Sequence, residues 1–215
     1  MGTLMENNSA ESVRLIELAR AGDSAALGEL FTRYRDRLRR MVDLRLDRRL
    51  QGRVDASDVV QDGFVDAIAK LPDYLADSQL PLFLCLRLVV GERLTKIHRT
   101  HLGTQMRDAA LEVSLYRQAL PAASSAALAA QLLGRHTSPT EAAVRAERML
   151  RVQEAINALD PIDREIIALR NFEELSRAEA AHALGINESA VAKRYVRAIK
   201  RLKTVLGERG EGDEI

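Results

Sequence analysis

Gly185 divides the C-terminal part of the chain into a short helix and a long basic one, and this division limits the fold more than any other feature. On its N-terminal side, "SRAE" at residues 176–179 is a capping box that leads into "AAHALG". On its C-terminal side, Asn187 can cap a helix that runs basic and amphipathic to Lys203. Two helices joined so tightly need a small residue where they cross and a left-handed one between them. Ala181 suits the crossing, Gly185 the turn, and Ile186 can plug the core beneath it. Val191, Tyr195, Ile199, Leu202 and Leu206 then hold the second helix to its neighbours. This leaves Lys193, Arg194, Arg197, Lys200 and Arg201 on or flanking the open face. Residues 185–203 carry six Lys or Arg against one Glu, although the whole chain has a net charge of only +1. Such a face can meet phosphates, and Arg can also grip a guanine edge with two hydrogen bonds. A solvated terminal helix would have the same composition. The capped partner helix, the glycine and the plug residue together favour DNA binding.

The rest of the chain is built in the same style. Ala, Leu and Arg dominate, aromatics make up 4% and Trp is absent, and no run alternates with period two. An all-α fold is expected, as two small helical domains joined by a flexible linker. The first domain covers residues 10–102. Gly22 and Asp23 stop one helix and cap the next, whose buried face is Leu27, Leu30, Phe31, Tyr34, Leu38 and Met41. "DASDVVQDGFVDAIAKL" follows, with Val60, Phe64, Ala67 and Leu71 at helical spacing. A third helix opens at Pro81 and carries Leu84, Leu88, Gly91, Leu94 and His98 along one side. Residues 103–137 are Ala/Ser-rich with weak periodicity and read as a linker with one short helix near 126–133. The second domain, 138–207, starts with the capping box "SPTE" at 138–141. Its first helix buries Met149, Val152, Ile156 and Leu159, and Asp160 with Pro161 opens the next.

Several function classes find no support. The lone Cys85 excludes an intramolecular disulfide and lies in an apolar helix, where an inert buried thiol is the norm. His98 and His101 are spaced for one helical turn, but no carboxylate or Cys completes a metal set. No glycine-rich phosphate loop or nucleophile elbow is present, so neither an enzyme nor a cofactor is expected. "MGTLMENNSAES" lacks a signal-peptide build, and "LPLFLCLRLVV" is interrupted by Arg87 and too short to span a bilayer. A cytoplasmic protein without membrane insertion is the expectation.

The residues quoted so far resemble a family, the bacterial RNA polymerase sigma factors of the extracytoplasmic-function (ECF) type. "ALDPIDREIIALRNFEELSRAEAAHALGINESAVAKRYVRAIKRLK" is similar to the family's C-terminal DNA-binding domain, region 4. The resemblance implies that residues 188–201 enter the major groove of the −35 promoter element, with Glu188 and Ser189 at the leading end. Ser176 and Arg177 would touch backbone phosphates. Ala190 and Ala192 stand where the family often has a hydroxyl and a basic residue. "DASDVVQDGF" is similar to region 2.2, which docks on the clamp helices of the polymerase's largest subunit. Asp58, Gln61, Asp62 and Asp66 are the implied docking residues. The three carboxylates fall at four-residue steps, an arrangement unfavourable within a helix and suited to a basic partner. Arg93, Lys96, His98, Arg99 and His101 occupy the place where the family opens and reads the −10 element. The linker, including residues 108–116, would cross the polymerase's active-site and RNA-exit channel. Core polymerase, promoter DNA and an anti-sigma factor are the implied partners of a chain that is monomeric when free. The competing expectation is a conventional helix-turn-helix regulator with an N-terminal helical sensing or dimerising domain, binding paired half-sites as a dimer.

Overall fold

A computed structural model describes residues 11–207 except 12, 20, 78–79, 103–119 and 135–141. Its regular elements are helices: α1 Ser24–Arg45, α2 Ala56–Asp77, α3 Leu82–Leu102, α4 Ser125–Leu133, α5 Ala142–Asn157, α6 Pro161–Ile167, α7 Arg177–Leu184 and α8 Glu188–Gly207. A π-helical turn, Ala168–Phe172, joins α6 to the loop before α7. Among the described residues no helix is long and apolar enough to cross a membrane. The "SPTE" box and residues 108–116 lie outside the described residues, as do the side chains of Leu71 and Leu206.

Local chemistry sets the helix starts where the sequence puts them. Asp23 accepts the amides of Ala25 and Ala26 at 2.8 and 3.1 Å, after Gly22 turns the chain at φ 90°. Asp160 accepts the Ile162 amide and is followed by Pro161 at the first helical position. Ser176 and Glu179 complete their capping box from both sides.

α1, α2 and α3 pack into the first block. Leu27, Leu30, Phe31, Leu38 and Met41 of α1 face Val60 and Ala67 of α2 and Leu84 and Leu94 of α3. Gly63 lies where α2 meets α3. A Cβ there would stand 2.7 Å from Val90 Cγ2 and 3.1 Å from Val90 Cα. Glycine costs about 1 kcal/mol of helix propensity relative to alanine, and this close approach is what it allows. Cys85 is fully buried in α3, as an inert thiol would be.

The short helix in the Ala/Ser-rich stretch is present and does more than bridge. Leu128 and Ala129 are fully buried in a second core with Val152, Ala155 and Ile156 of α5, Leu159 in the turn after it and Leu202 of α8. The Ser124 amide donates to Leu44 O of α1 at 2.8 Å.

The two blocks also pack on each other. The first core takes in Ile166, Leu169, Leu175, Ala181, Leu184 and Val191 from the second block, while Leu44 of α1 is buried in the second core. Between the blocks lies a cluster of charges. Glu173 and Arg45 are fully covered, and Arg87 nearly so. Arg87 donates from Nε to Glu173 Oε2 at 2.7 Å, while Arg45 pairs with Oε1 of the same carboxylate and also donates to Glu165. The π-turn makes this possible. Eight residues of α-helix rotate by about 800°, which would leave Glu173 roughly 80° off the face of Glu165. The wider turn, closed by Glu173 N–H to Ala168 O, takes up about one extra residue and brings both carboxylates to the same side.

Candidate nucleic-acid interface

The helix pair around Gly185 has the geometry its residues require. Gly185 adopts φ 66° and ψ 29°, the left-handed conformation. The Ile186 amide donates back to Ala181 O, and the Asn187 side chain caps α8 by accepting the Ala190 amide at 2.7 Å. Ala181 is buried at the crossing, with Val191 and Leu202 beneath α8 and Ile186, Tyr195 and Ile199 half-buried beside them. Glu188 and Ser189 are exposed at the leading end of α8, and Ser176 and Arg177 at the start of α7.

The basic face divides into two classes that the sequence does not distinguish. Lys193, Lys200 and Arg201 are exposed and form no ion pair with a described residue. Arg194 and Arg197 are instead ion-paired within the fold, Arg197 remaining largely exposed. Arg194 Nη1 donates to Asp163 Oδ1 at 2.8 Å, and Arg197 reaches the same carboxylate from Nε and Nη2 at 3.2 and 3.3 Å. Asp163, on α6, is nearly covered by this arrangement. The two arginines therefore fix the rotation of α8 about its axis. Arg201→Ala, measured in complex with core polymerase, should flatten the salt dependence of promoter binding by about one unit of log–log slope. Arg197→Ala should flatten it by less, because Asp163 already neutralises that charge.

In the first block, Asp58, Gln61, Asp62 and Asp66 share the outer side of α2, Asp66 being part-covered. Arg93 of α3 donates to Asp62 at 2.6 Å and lies 3.8 Å from Asp66. A cation expected at DNA is thus held by carboxylates expected at polymerase. Lys96, Arg99 and His101 are exposed along the end of α3. His98 is not among them. It is buried and accepts the Asp47 amide through Nε2 at 3.3 Å. Burial pushes its pKa below the ordinary imidazole value, against a smaller pull from Asp47. A buried neutral ring is a packing residue rather than a strand contact, and it is separated from the exposed His101.

These shapes match known proteins. A family model for sigma-70 region 4 matches residues 149–202, the span from α5 through the buried part of α8. Over nearly its whole length the chain is similar to curated sigma factors. It is 24% identical over 201 residues to the ECF RNA polymerase sigma factor BldN of Streptomyces coelicolor, covering 94% of this chain and 68% of that one. It is 28% identical over 191 residues to the ECF RNA polymerase sigma factor SigD of Mycobacterium tuberculosis, covering 89% and 82%. The chain is thus similar to the ECF sigma factors along most of its length, with region 4 matched by the family model. The fold of this chain is shared with CnrH, solved in complex with the cytosolic domain of CnrY. That match has a TM-score of 0.51 at 24% identity and covers 93% of this chain and 98% of that one.

Proposed function

We infer that this chain acts as a sigma factor, binding core RNA polymerase through its first block and directing promoter-specific initiation through both blocks. The observation that carries the reading is the capped helix pair around Gly185, which presents a basic helix whose outer cations point to solvent. In this reading residues 10–102 dock on polymerase and engage the −10 element, 103–137 connect, and 138–207 bind the −35 element. Lys193, Lys200 and Arg201, with Ser189 and Glu188 at the leading end, meet the −35 groove. Arg177 and Ser176 touch its phosphates, and Arg194 and Arg197 orient the helix from Asp163. Lys96, Arg99 and His101 approach the opened −10 strand. Asp58, Gln61, Asp62 and Asp66 face the basic clamp helices of the largest polymerase subunit, and an anti-sigma factor is the partner that would compete for that face. The chain acts as an adaptor rather than a catalyst.

The test is transcription from a random promoter library by purified core enzyme with the full chain. Enrichment of a two-part consensus is expected. Asp58→Arg should reduce capture of core enzyme several-fold while the far-ultraviolet circular dichroism stays unchanged, since that aspartate is exposed. A stable dimer that footprints a palindrome alone and ignores core enzyme would overturn the reading in favour of a conventional regulator.

A further inference from the structure

We propose that the loop between α1 and α2, residues 46–55, is a second nucleic-acid contact of the first block. It would take phosphates of the opened promoter strand beside the −10 element. The proposal rests on reading the exposed end of α3 as the −10 surface, and it enlarges that surface.

The loop is folded, anchored and basic. It carries Arg48, Arg49 and Arg53, all of them exposed. Leu46 and Leu50 are buried in the first core, and Val54 packs against it. Between these anchors the chain closes on itself. The Leu50 amide donates to Asp47 O and the Arg53 amide to Leu50 O, both at 2.9 Å. Gly52 makes the reversal at φ 92°, a conformation that glycine takes without strain. The arginines therefore stand on a fixed frame, so less ordering remains to be done when they bind.

The carboxylates of the loop are already engaged. Asp47 accepts the Arg49 amide at 2.8 Å and the Arg49 guanidinium from Nε and Nη2 at 3.0 Å each. Asp55 accepts the Ser57 amide at 2.6 Å, at the start of α2. Arg48 and Arg53 form no ion pair with a described residue. Their forked donors face water, and phosphate oxygens are the acceptors that such forks fit best.

Position decides which anion they meet. The Asp47 amide donates to His98 Nε2 at 3.3 Å, and His98 is buried. The inward histidine thus seats the loop against the last turns of α3, whose exposed side carries Lys96, Arg99 and His101. The cations of the loop and those of the helix continue one another around that end of the block. Charge sorts the partners as well. The carboxylates of Asp58 and Asp62 on α2 suit a basic partner, while the loop suits an acidic one. A strand held by phosphate contacts along α3 is such a partner, and it lies next to the loop.

The test uses holoenzyme assembled from core polymerase and the full chain. Its probe is a promoter recovered from the random library, pre-melted by mismatches at the −10 element. Salt dependence of binding is compared for wild type, Arg48→Ala/Arg53→Ala, Arg48→Glu/Arg53→Glu and Lys96→Ala/Arg99→Ala. Both loop residues are exposed, so far-ultraviolet circular dichroism should stay unchanged. The loop alanine variant should flatten the log–log slope by about 1.4 units, about 0.7 for each phosphate on a single strand. The charge reversal should weaken binding further. A wild-type slope in both loop variants would overturn the proposal. So would reduced capture of core enzyme with an unchanged slope, which would assign the loop to an acidic segment of polymerase. The α3 variant separates the two readings. A flatter slope there, with none in the loop variants, removes the loop and leaves the −10 surface standing. No change in any variant removes the −10 surface as well.

Discussion

Arg45→Ala should lower the stability of the folded chain by about 3–5 kcal/mol, the usual cost of removing one partner from a buried ion pair. The arginine is fully covered, and its loss leaves Glu173 and Glu165 facing a single remaining cation, Arg87. The figure is a ceiling. If the blocks separate before either unfolds, Glu173 regains water and the loss stops at the free energy of separation. Urea unfolding followed by circular dichroism, run beside scattering, tells the two cases apart by which signal moves first. The same site sets a pH dependence. Burial alone pushes the Glu173 carboxyl up, but Arg45, then Arg87, and their hydrogen bonds outweigh it and hold the carboxyl below the usual carboxylate range. A carboxyl lowered on folding contributes stability above its unfolded pKa and loses it as pH falls through the folded value. Docking of the two blocks should therefore persist through neutral and mildly acid pH and fail only in stronger acid. Arg45→Ala should fail at a higher pH than wild type, which scattering across a pH series would detect.

Leu128→Ala should cost about 2–5 kcal/mol, measured by the same unfolding experiment. A residue in a solvated connector would cost almost nothing when truncated. Leu128 is instead fully buried among Val152, Ile156 and Leu159. Its helix is anchored at the start by Ser124, whose side chain caps the Ala127 amide and whose own amide reaches α1. A loss under about 0.5 kcal/mol would mean that α4 does not hold the second core together.

Local signals in the chain were readable and long-range pairings were not. Asp23, Asp160 and Ser176 each cap through a side chain that reaches two or three residues onward, so neighbouring letters suffice. Gly185 with Ile186 and Asn187 is legible for the same reason. The short helix near 126–133 could be located, but four of its residues are alanines, and alanine looks the same on a buried and an exposed face. Gly63 reads as a weak point in a helix because its partner, Val90, is on another element. Asp163 gives no local hint that it holds Arg194 and Arg197, which separates the α8 cations into two classes. His98 fitted a basic segment by position, yet helical phase turns it inward. The docking of the two blocks had one available signal, Arg87 within "LPLFLCLRLVV". A guanidinium in an apolar run needs a buried carboxylate, although nothing nearby names Glu173 as that group.

The π-turn makes the contour between Glu165 and Glu173 a discrete setting. Inserting one residue into Ala168–Phe172 keeps every arginine and every glutamate, but advances the phase of all that follows by about 100°. Glu173 would then point away from its cradle. The arrangement is written in spacing as much as in charge, and a single-residue insertion erases it without changing any group that takes part.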